Sequence, residues 1–378
     1  MIIFIPKEID ETEPRVAATP ETTARLSKLG AKVYVESLAG IRSNFSDEDY
    51  EKSGATIHQN RKEALNEADL ILRVRQPPEE EINLLKENNI HISFLDPLNE
   101  TSLVEKLREK KVSAISMELV PRSTRAQKMD ALSSQHSIAG YSMVLLAADR
   151  LKYILPMMVT PSGTLQPARV FIIGAGVAGL QAIATAKRLG ARVEAFDTRP
   201  VVAEQVESLG ARFVKVDLGE TGQTAQGYAK ELTEEQLEKQ RTVMADRCAQ
   251  SDIVITTAQL FGRKAPIVVT KDMINRMKPG SIVVDYAVES GGNVEGSVAG
   301  ENITIGGVTI VGYRNIPGRV STSASQMYSN NLYNFVDEFW NSDQKIFSLN
   351  QEDEIISGSL VTHGGELVNE MVKNIIKK

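Results

Sequence analysis

A glycine-rich turn at residues 174–179 constrains the fold of this chain more than any other feature. An apolar β-type run over residues 170–173 leads into Gly-Ala-Gly-Val-Ala-Gly, a G-x-G-x-x-G pattern. Apolar and small residues then recur at helical spacing as far as Gly190, and a second β-type run over residues 192–196 ends in Asp197. This order predicts a buried parallel strand, a glycine turn, a helix and a second strand, as in a doubly wound α/β domain.

The residue types in this turn are those that a dinucleotide needs. Gly174 permits a tight turn, Gly176 removes a side chain that would hold a pyrophosphate off the backbone, and Gly179 lets the helix pack against the strand. The helix N-terminus offers free N–H groups to phosphates. Asp197 lies 18 residues after Gly179, where a carboxylate can accept hydrogen bonds from ribose hydroxyls. An ordinary glycine turn explains the glycines alone, but the strand, the helix and the acid together favour dinucleotide binding.

The residues around Asp197 bear on which dinucleotide binds. A carboxylate at this position repels a 2′-phosphate, so Asp197 favours NAD(H) over NADP(H). Arg199, two residues later, is the feature that argues for the opposite choice. Val177 and Ala178 within the turn and Thr198 beside the acid complete the predicted cofactor-binding set, with the three glycines, Asp197 and Arg199.

The rest of the chain also alternates between strand and helix patterns. Its N-terminal third predicts strands at residues 2–5, 32–35, 69–74, 90–95 and 113–117, and helices that begin at Pro20, near Pro78 and at Ser102. No glycine fingerprint follows the first of these strands. Later segments predict strands at 252–257 and 281–285, a long helix at 143–155 and a final helix at 324–340. The apolar stripe of the final helix predicts that it returns to the core of the first domain.

We therefore predict an α/β fold of two Rossmann-like, doubly wound parallel-sheet domains, separated by a cleft and linked by long helices. The N-terminal domain is expected to comprise residues 1–137 and 319–378, and the nucleotide-binding domain residues 138–318. At 378 residues, of which 42% are apolar, the chain is long enough for two cores of ordinary size.

Charge and composition exclude several classes of function. The 43 basic and 49 acidic residues give a net charge of −6, with no basic stripe to bind nucleic acid. A single cysteine, Cys248, excludes an internal disulfide and suits a reducing compartment. The N-terminus resembles a first strand and not a secretory leader, and no apolar run approaches the ~20 residues of a membrane helix. The four histidines show no metal-ligand spacing, so no metal site is predicted and structural or surface roles are expected for them.

Two polar segments stand out between the apolar ones. Gln127, Asp130 and Ser133 are spaced three residues apart, so on helical geometry they lie near one face, with Arg122 just upstream. Taken alone, this stretch is better explained as a solvated helix start with incidental charges. Residues 218–233 hold three glycines and almost no aliphatic side chains, which is typical of either a functional lid or a disordered loop.

These motifs together resemble the NAD(H)-binding component, domain I, of proton-translocating NAD(P) transhydrogenase. The resemblance rests on the glycine turn and Asp197, on PRSTRAQKMDALSSQ at 121–135, on GYAKE at 227–231 and on LVTHGGELV at 360–368, and it covers nearly the whole chain. It implies that the glycine turn binds the pyrophosphate and Asp197 the ribose. It further implies that Arg122, Gln127, Asp130 and Ser133 form a catalytic polar cluster around the nicotinamide, and that Tyr228 belongs to a mobile loop closing over the nucleotide.

The resemblance also implies a reaction and a set of partners. Hydride would pass stereospecifically between NADH on this chain and NADP⁺ on a separate NADP(H)-binding component, coupled to proton translocation by a membrane-spanning component. The chain would be a homodimer, inactive alone in the full reaction. It would be cytoplasmic, and peripheral on the inner membrane through its partners. Because no membrane span follows Gly365, the pattern resembles the form in which domain I is its own polypeptide.

Two rival functions follow from the same residues. Alanine dehydrogenase belongs to the parent superfamily, but this chain has Arg75 in place of its lysine, Asp96 in place of its catalytic histidine and Glu289 in place of its catalytic aspartate. Only Arg15 of that substrate set remains. Oxidation of an amino acid needs a general base, whereas hydride transfer between two nicotinamides needs none. A non-catalytic NAD sensor would keep the glycine turn without needing the polar cluster.

Overall fold

The computed structural model describes residues 1–217 and 233–376, which form two compact units. The first unit comprises Met1–Gln135 and Gly318–Lys378, and the second comprises His136–Pro317. The first boundary, between residues 135 and 136, lies two residues before the one expected from the sequence. The second, between residues 317 and 318, lies one residue before the expected one. No helix among the described residues is both long and apolar enough to span a bilayer.

The N-terminal portion of the first unit alternates strands with short helices. Its strands are β1 (Ile2–Ile5), β2 (Lys32–Glu36), β3 (Thr56–His58), β4 (Leu70–Leu72), β5 (Ile90–Ser93) and β6 (Ser113–Ser116). Its helices are α1 (Pro20–Lys28), α2 (Asp47–Lys52), α3 (Arg61–Glu67), α4 (Glu79–Ile82) and α5 (Thr101–Glu109). Helix α1 begins where the sequence predicts, because Thr19 accepts the N–H of Thr22 in a capping box and Pro20 stands at the first turn.

Helix α6 (Ala131–Arg150) leads from the first unit into the second. The strands of the second unit are β7 (Met158–Thr160), β8 (Gly163–Leu165), β9 (Arg169–Ile173), β10 (Arg192–Phe196), β11 (Arg212–Phe213), β12 (Ile253–Thr256), β13 (Ile282–Asp285), β14 (Asn302–Ile305) and β15 (Val308–Val311). Its other helices are α7 (Val177–Arg188), α8 (Ala203–Ser208), α9 (Glu234–Gln250) and α10 (Lys271–Asn275).

The chain then returns to the first unit. The returning elements are α11 (Ser321–Glu338), β16 (Trp340–Asn341), β17 (Ile346–Phe347), α12 (Glu354–Ser359), β18 (Leu360–His363), β19 (Glu366–Leu367) and α13 (Glu370–Ile376). Tyr328, Leu332 and Phe335 of α11 are fully buried in the same core as Ile3 and Leu70. The predicted return of this helix to the first core is therefore confirmed.

Each unit is built on one mainly parallel sheet, which confirms the predicted fold class. The first sheet has the order β19-β18-β6-β5-β4-β1-β2-β3, and β18 joins β6 in the antiparallel sense. The second has the order β11-β10-β9-β12-β13-β15-β14, with β14 antiparallel to β15. In the second sheet, β10 and β11 lie on one side of β9, whereas β12 and β13, which follow them in the chain, lie on the other side. The resulting switch point between β9 and β12 is where doubly wound sheets bind ligands.

The two faces of the second sheet carry different helices. Val170 and Ile172 of β9 pack in one core with small residues of α7, such as Ala182. Phe171 and Ile173, which alternate with them, pack in another core with Met244 of α9. Side chains of even-numbered residues of β9 therefore face α7, and those of odd-numbered residues face α9.

The long helix predicted at 143–155 is longer and begins earlier. Helix α6 starts at Ala131, twelve residues before the predicted position, and ends at Arg150. Its first three turns are rich in Ser, Gln and His, which hid the apolar periodicity. The helix begins there because Asp130 accepts the N–H of Ser133, as an N-cap residue does.

Candidate functional site

The glycine turn joins the carboxyl end of β9 to the N-terminus of α7. Gly174 has φ +98°, and a Cβ there would lie 2.6 Å from Thr257 Oγ1. A Cβ on Gly179 would lie 1.9 Å from the carbonyl oxygen of Gly174. The backbone of the turn therefore requires both glycines, whether or not a ligand is bound.

Gly176 differs from the other two glycines, because nothing in the protein crowds it. Its φ is −78°, which any residue can adopt, and the nearest atom to an added Cβ is Arg199 Nη2 at 3.9 Å. Gly176 is the N-cap of α7, and no side chain caps the first turn formed by Val177 and Ala178. The open space and the uncapped helix N-terminus suit a pyrophosphate approaching the backbone.

Asp197 follows β10 and is tied to the glycine turn. Its Oδ2 accepts the N–H of Ala175 at 2.8 Å, and its Oδ1 accepts the N–H of Arg199 at 2.8 Å. Arg199 also donates from Nε at 2.9 Å and from Nη2 at 2.8 Å. These four bonds occupy the roughly four acceptor positions of a carboxylate. Hydrogen bonding to Asp197 raises the pKa of Arg199. Thr198 lies half-buried between the two.

Sequence reasoning missed the loop after β12, which contacts the glycine turn, and the loop after β13, which is hydrogen-bonded to the loop after β12. Thr257 donates from Oγ1 to the carbonyl oxygen of Gly174 at 3.1 Å. Asp285, at the end of β13, is fully buried and accepts the N–H groups of Ala287, Asn293 and Val294. Burial raises the pKa of Asp285. An acid ending an apolar strand pattern was the available signal, since SIVVD ends there as VEAFD ends at Asp197.

The polar cluster is only partly organised as predicted. Asp130 accepts the N–H of Ser133 at 2.8 Å and its hydroxyl at 2.6 Å, so these two residues are in contact. Gln127 belongs to a short 3-10 helix, Gln127–Met129, which ends at Asp130 with ψ 85°. The expectation that all three lie along one helical face is therefore wrong, because the chain leaves helical geometry at Asp130. Gln127 and Arg122 are both exposed.

The residues relevant to an amino-acid dehydrogenase lie in ion pairs and strained backbone. Glu13 is completely buried and binds Arg15 through two guanidinium nitrogens, at 2.7 and 2.6 Å. The same carboxylate accepts a hydrogen bond from Arg75 Nε at 2.8 Å. Asp96, where that enzyme has its histidine, is exposed and has a left-handed φ of +47°. Its carboxylate accepts a hydrogen bond from Asn99 at 2.8 Å.

The four histidines lie in structural settings. His91 is buried in β5, and burial and the Arg73 guanidinium hold its pKa well below the usual range. His136 and Tyr286 are joined by a hydrogen bond of 2.8 Å. His363 lies 2.8 Å from Ser113 Oγ, and the ring of His58 contacts that of Tyr34. Within residues 1–217 and 233–376, no group of three or more His, Cys, Asp or Glu residues could hold a metal ion. Tyr228 and most of the predicted lid, residues 218–232, lie outside the described residues.

Two family models match almost the whole chain. The alanine dehydrogenase/PNT N-terminal domain matches residues 4–139, and the alanine dehydrogenase/PNT C-terminal domain matches residues 143–370. A relative from Rhodospirillum rubrum, named as the first portion of NAD(P) transhydrogenase subunit alpha, is 44% identical over 376 residues, which cover 98% of both chains.

Solved structures agree with this assignment. The transhydrogenase structure from Sinorhizobium meliloti superposes with a TM-score of 0.85 at 42% identity, covering 98% of this chain and 100% of that one. An L-alanine dehydrogenase superposes with a TM-score of 0.83 at 26% identity, covering 100% and 99%. The fold is shared by both proteins, and the higher identity lies on the transhydrogenase side. The chain therefore belongs to the alanine dehydrogenase/PNT family and, within it, to the NAD(P) transhydrogenase alpha-subunit group.

Proposed function

We propose that this protein is the NAD(H)-binding component of a proton-translocating transhydrogenase, in which hydride passes between NADH and NADP⁺ held by a partner component. The observation that carries the proposal is the glycine turn with its open Gly176 and the acid Asp197 bonded to it. Similarity to a transhydrogenase subunit along 98% of the chain supports it. The bound NADH supplies the hydride.

The cofactor would be held by two neighbouring groups of residues. The turn from Gly174 to Gly179 offers its backbone to the pyrophosphate, and Asp197 offers its carboxylate to the adenosine ribose. The Asp197 carboxylate already accepts hydrogen bonds from the Ala175 and Arg199 backbone and from the Arg199 guanidinium. A ribose diol must therefore share the carboxylate with the guanidinium or displace the guanidinium. Thr198, Val177 and Ala178 complete the site. NAD(H) is the expected cofactor, because the Asp197 carboxylate opposes a 2′-phosphate.

The polar cluster is assigned to the nicotinamide end of the cofactor. In this proposal Arg122, Gln127, Asp130 and Ser133 orient the nicotinamide and do not transfer protons. The bond from Ser133 to Asp130 fixes the carboxylate at the start of α6, which is the rigidity an orienting group requires. Gln127 is exposed and therefore available to a ligand.

The alternative, an alanine dehydrogenase-like activity, is less well supported. That reaction requires a cationic substrate site and a general base. In this chain Arg15 and Arg75 are both bound to the buried carboxylate of Glu13, and Asp96 stands where the histidine would be.

The partners belong to the same proposal. The Rhodospirillum rubrum relative is named as a portion of an alpha subunit, which supports an assembly of several chains. We expect a homodimer that binds an NADP(H)-binding component and, through it, a membrane-spanning proton-translocating component at the cytoplasmic face of the inner membrane. Full turnover would require these partners.

Hydride exchange with a purified NADP(H)-binding component tests the function. Single-turnover stopped flow with an NADH analogue and partner-bound NADP⁺ gives the rate, and calorimetry gives the NADH affinity. Gln127→Ala should slow transfer by up to ~10²-fold with little loss of affinity, because a displacement of about 1 Å can have this effect. Lys128→Ala is the matched control, since Lys128 is the exposed neighbour of Gln127 and pairs with Glu338 at 2.7 Å.

Asp130 needs two variants, because it is also the N-cap of α6. Asp130→Asn keeps a capping oxygen but removes the charge, whereas Asp130→Ala removes both. Slower transfer in both variants with unchanged melting of Asp130→Asn would support an orienting role. Normal transfer rates in Gln127→Ala and Asp130→Asn would contradict the role assigned to the polar cluster. Oxidation of alanine by the wild-type protein alone with NAD⁺ would contradict the transhydrogenase function itself.

A further inference from the structure

Four arginines line one pocket at the amino edge of the second sheet. Arg169 begins β9, Arg192 begins β10, Arg212 begins β11, and Arg247 lies in the last turn of α9. Together with Glu194, Gln250 and Ser251 they surround a pocket of about 210 Å³. We propose that this pocket is a binding site for a small phosphate-bearing anion, distinct from the dinucleotide turn.

Strand register brings the arginines onto one face. Arg169 pairs with Arg192, and Glu194 pairs with Arg212, as directly opposed residues of parallel strands. Phe171 and Phe196 of the same strands pack in the core under α9. Since side chains alternate along a strand, Arg169, Arg192 and Glu194 point to that same face, where α9 supplies Arg247.

The charges of this pocket are not balanced by the protein. Its lining holds four guanidinium groups and one carboxylate, that of Glu194. Arg212 and Arg247 each approach Glu194 at only 3.4 Å, longer than a good charge-assisted hydrogen bond. Among the described residues, the side chains of Arg169 and Arg192 make no ion pair. The nearby carboxylate of Asp252 accepts the backbone N–H of Arg169 at 2.8 Å and faces Lys278 at 3.8 Å.

A structural role does not account for this arrangement. Like charges directly opposed on neighbouring strands are destabilising, and the Arg169–Arg192 pair has no compensating contact among the described residues. In addition, Arg247 Nε is buried without a hydrogen-bond partner, which normally costs free energy. Positions that break a local rule without compensation are expected at functional sites. A bound anion would offset the repulsion between Arg169 and Arg192 and would offer a hydrogen-bond acceptor to Arg247 Nε.

The chemistry of the lining selects the class of anion. Guanidinium groups present planar forks that match phosphate oxygens in pairs. A phosphate group carries about −1.5 to −2 charges at pH 7 and three strong acceptor oxygens, which suits an excess of three positive charges better than a single carboxylate does. Pockets for drug-sized ligands begin near roughly 300 Å³, so this smaller pocket suits inorganic phosphate, pyrophosphate or the phosphate end of a small ester.

This pocket and the glycine turn lie at opposite ends of the same strand. Arg169 is the first residue of β9, and Gly174 follows its last residue, Ile173. Five residues at about 3.3 Å each separate the two by more than 10 Å. Binding at one end therefore leaves the other end open, and the two sites can be tested separately.

Calorimetric titration tests the site. Inorganic phosphate, pyrophosphate, a sugar monophosphate and succinate would each be titrated at constant ionic strength, with saturating NADH present to exclude the dinucleotide turn. We expect saturable binding of one or more phosphate ligands and weaker binding of succinate. Arg192→Gln and Arg169→Gln should each weaken phosphate binding about tenfold or more, as expected for the loss of a charge-assisted hydrogen bond. The sugar monophosphate and the free anions distinguish an esterified from an inorganic ligand.

Arg314→Gln is the matched control, because it removes the same charge from an exposed position after β15, on the opposite side of β9 in the sheet. Thermal melting in anion-free buffer adds a second measurement. Loss of an arginine that stabilises the fold would lower the melting temperature, whereas loss of an arginine that only binds an anion would not. Arg192→Gln should melt at or above the wild-type temperature, because it removes like-charge repulsion. Equal phosphate affinity in pocket and control variants, succinate binding as tightly as phosphate, or a lower melting temperature with unchanged affinity would each overturn the proposal.

Discussion

At the scale of single residues, the contact between Asp197 and Arg199 decides how the ribose end of the site behaves. The acid that would bind the ribose is already bonded by two guanidinium nitrogens and two backbone N–H groups. Arg199, which could bind a 2′-phosphate, is thus hydrogen-bonded to Asp197, which would repel one. In the proposed site, discrimination between NADH and NADPH would therefore depend on Asp197 and Arg199 together.

This pairing makes the effect of removing the acid predictable. Asp197→Ala should weaken NADH binding by roughly 1.5 to 3 kcal/mol, because the ribose loses one or two charge-assisted hydrogen bonds. The same change releases Arg199, so NADPH should lose less affinity and the preference for NADH should narrow. Fluorescence titration with both nucleotides measures the two affinities.

Asp246→Ala provides the comparison for this experiment. Asp246 is also a carboxylate paired with an arginine of the second unit, Arg276, at 2.6 Å, but it is exposed on α9. The Asp246→Ala substitution should leave the affinities for NADH and NADPH unchanged. A constant ratio of NADH to NADPH affinity in Asp197→Ala would show that the acid does not discriminate between the cofactors.

At the scale of elements, the turn between β9 and α7 contains two glycines that the fold requires, Gly174 and Gly179, and one, Gly176, that only the proposed pyrophosphate would require. Gly179→Ala would place a methyl group 1.9 Å from a backbone oxygen, which cannot move aside, so the variant should melt well below the wild type. Gly176→Ala meets nothing closer than 3.9 Å and should melt normally. It should nevertheless lose most of its NADH affinity, because the methyl group fills the pyrophosphate space.

Thermal melting and calorimetry on the two variants separate these effects. Gly163→Ala is a useful third variant, because nothing lies within 4 Å of an added Cβ there, although its φ is +135°. It reports the backbone strain of a non-glycine residue away from the turn. Unchanged NADH affinity in a stably folded Gly176→Ala protein would count against pyrophosphate binding at this turn.

Elements with strong local signals were predictable from the sequence. Apolar runs bounded by glycine or proline indicated β1, β9, β10 and β13, and an apolar run alone indicated β12. The capping residues Thr19 and Pro20 indicated the start of α1. The antiparallel addition of β18 to β6 was not predictable, because it joins segments about 245 residues apart and the pairing of distant strands leaves no local pattern. The start of α6 was hidden by the polar composition of its first turns.

The same limit applies to the sites. The glycine turn and its acid lie within one continuous stretch, so their spacing indicated the function. The arginines of the proposed anion pocket come from four separate elements and meet only through the register of β9, β10 and β11. The contact of Asp197 with Arg199 depends on rotamers that a sequence does not specify. Spacing along the chain therefore identifies a site that lies within one continuous stretch. A site assembled from distant strands is identified only once the strand order and register of the sheet are known.

At the scale of the whole molecule, the first unit buries several charged side chains. Arg73 is 1% exposed and pairs with Glu81, which also binds Arg61, and Arg61 in turn binds Glu36. Glu8 is 5% exposed, accepts the N–H of Val74 at 2.7 Å and is faced by Arg73 and Glu13. Burial is the largest influence on Glu8 and raises its pKa to about 7. The folded protein therefore takes up a proton at Glu8 at a pH where the unfolded chain has lost it.

This difference makes the stability of the protein depend on pH in a specific direction. The contribution of a protonated Glu8 is fully present below the unfolded pKa of about 4.5 and is lost as the pH rises through about 7. The wild-type melting temperature should therefore fall as the pH rises from about 4.5 to about 7. Glu8→Gln is uncharged at every pH and keeps an oxygen for the Val74 N–H, so its melting temperature should fall less over the same interval. Calorimetric melts at several pH values with and without the substitution measure the difference, and Glu11→Gln, an exposed neighbour, should follow the wild-type curve. Parallel pH curves for the wild type and Glu8→Gln would show that Glu8 does not titrate in this range.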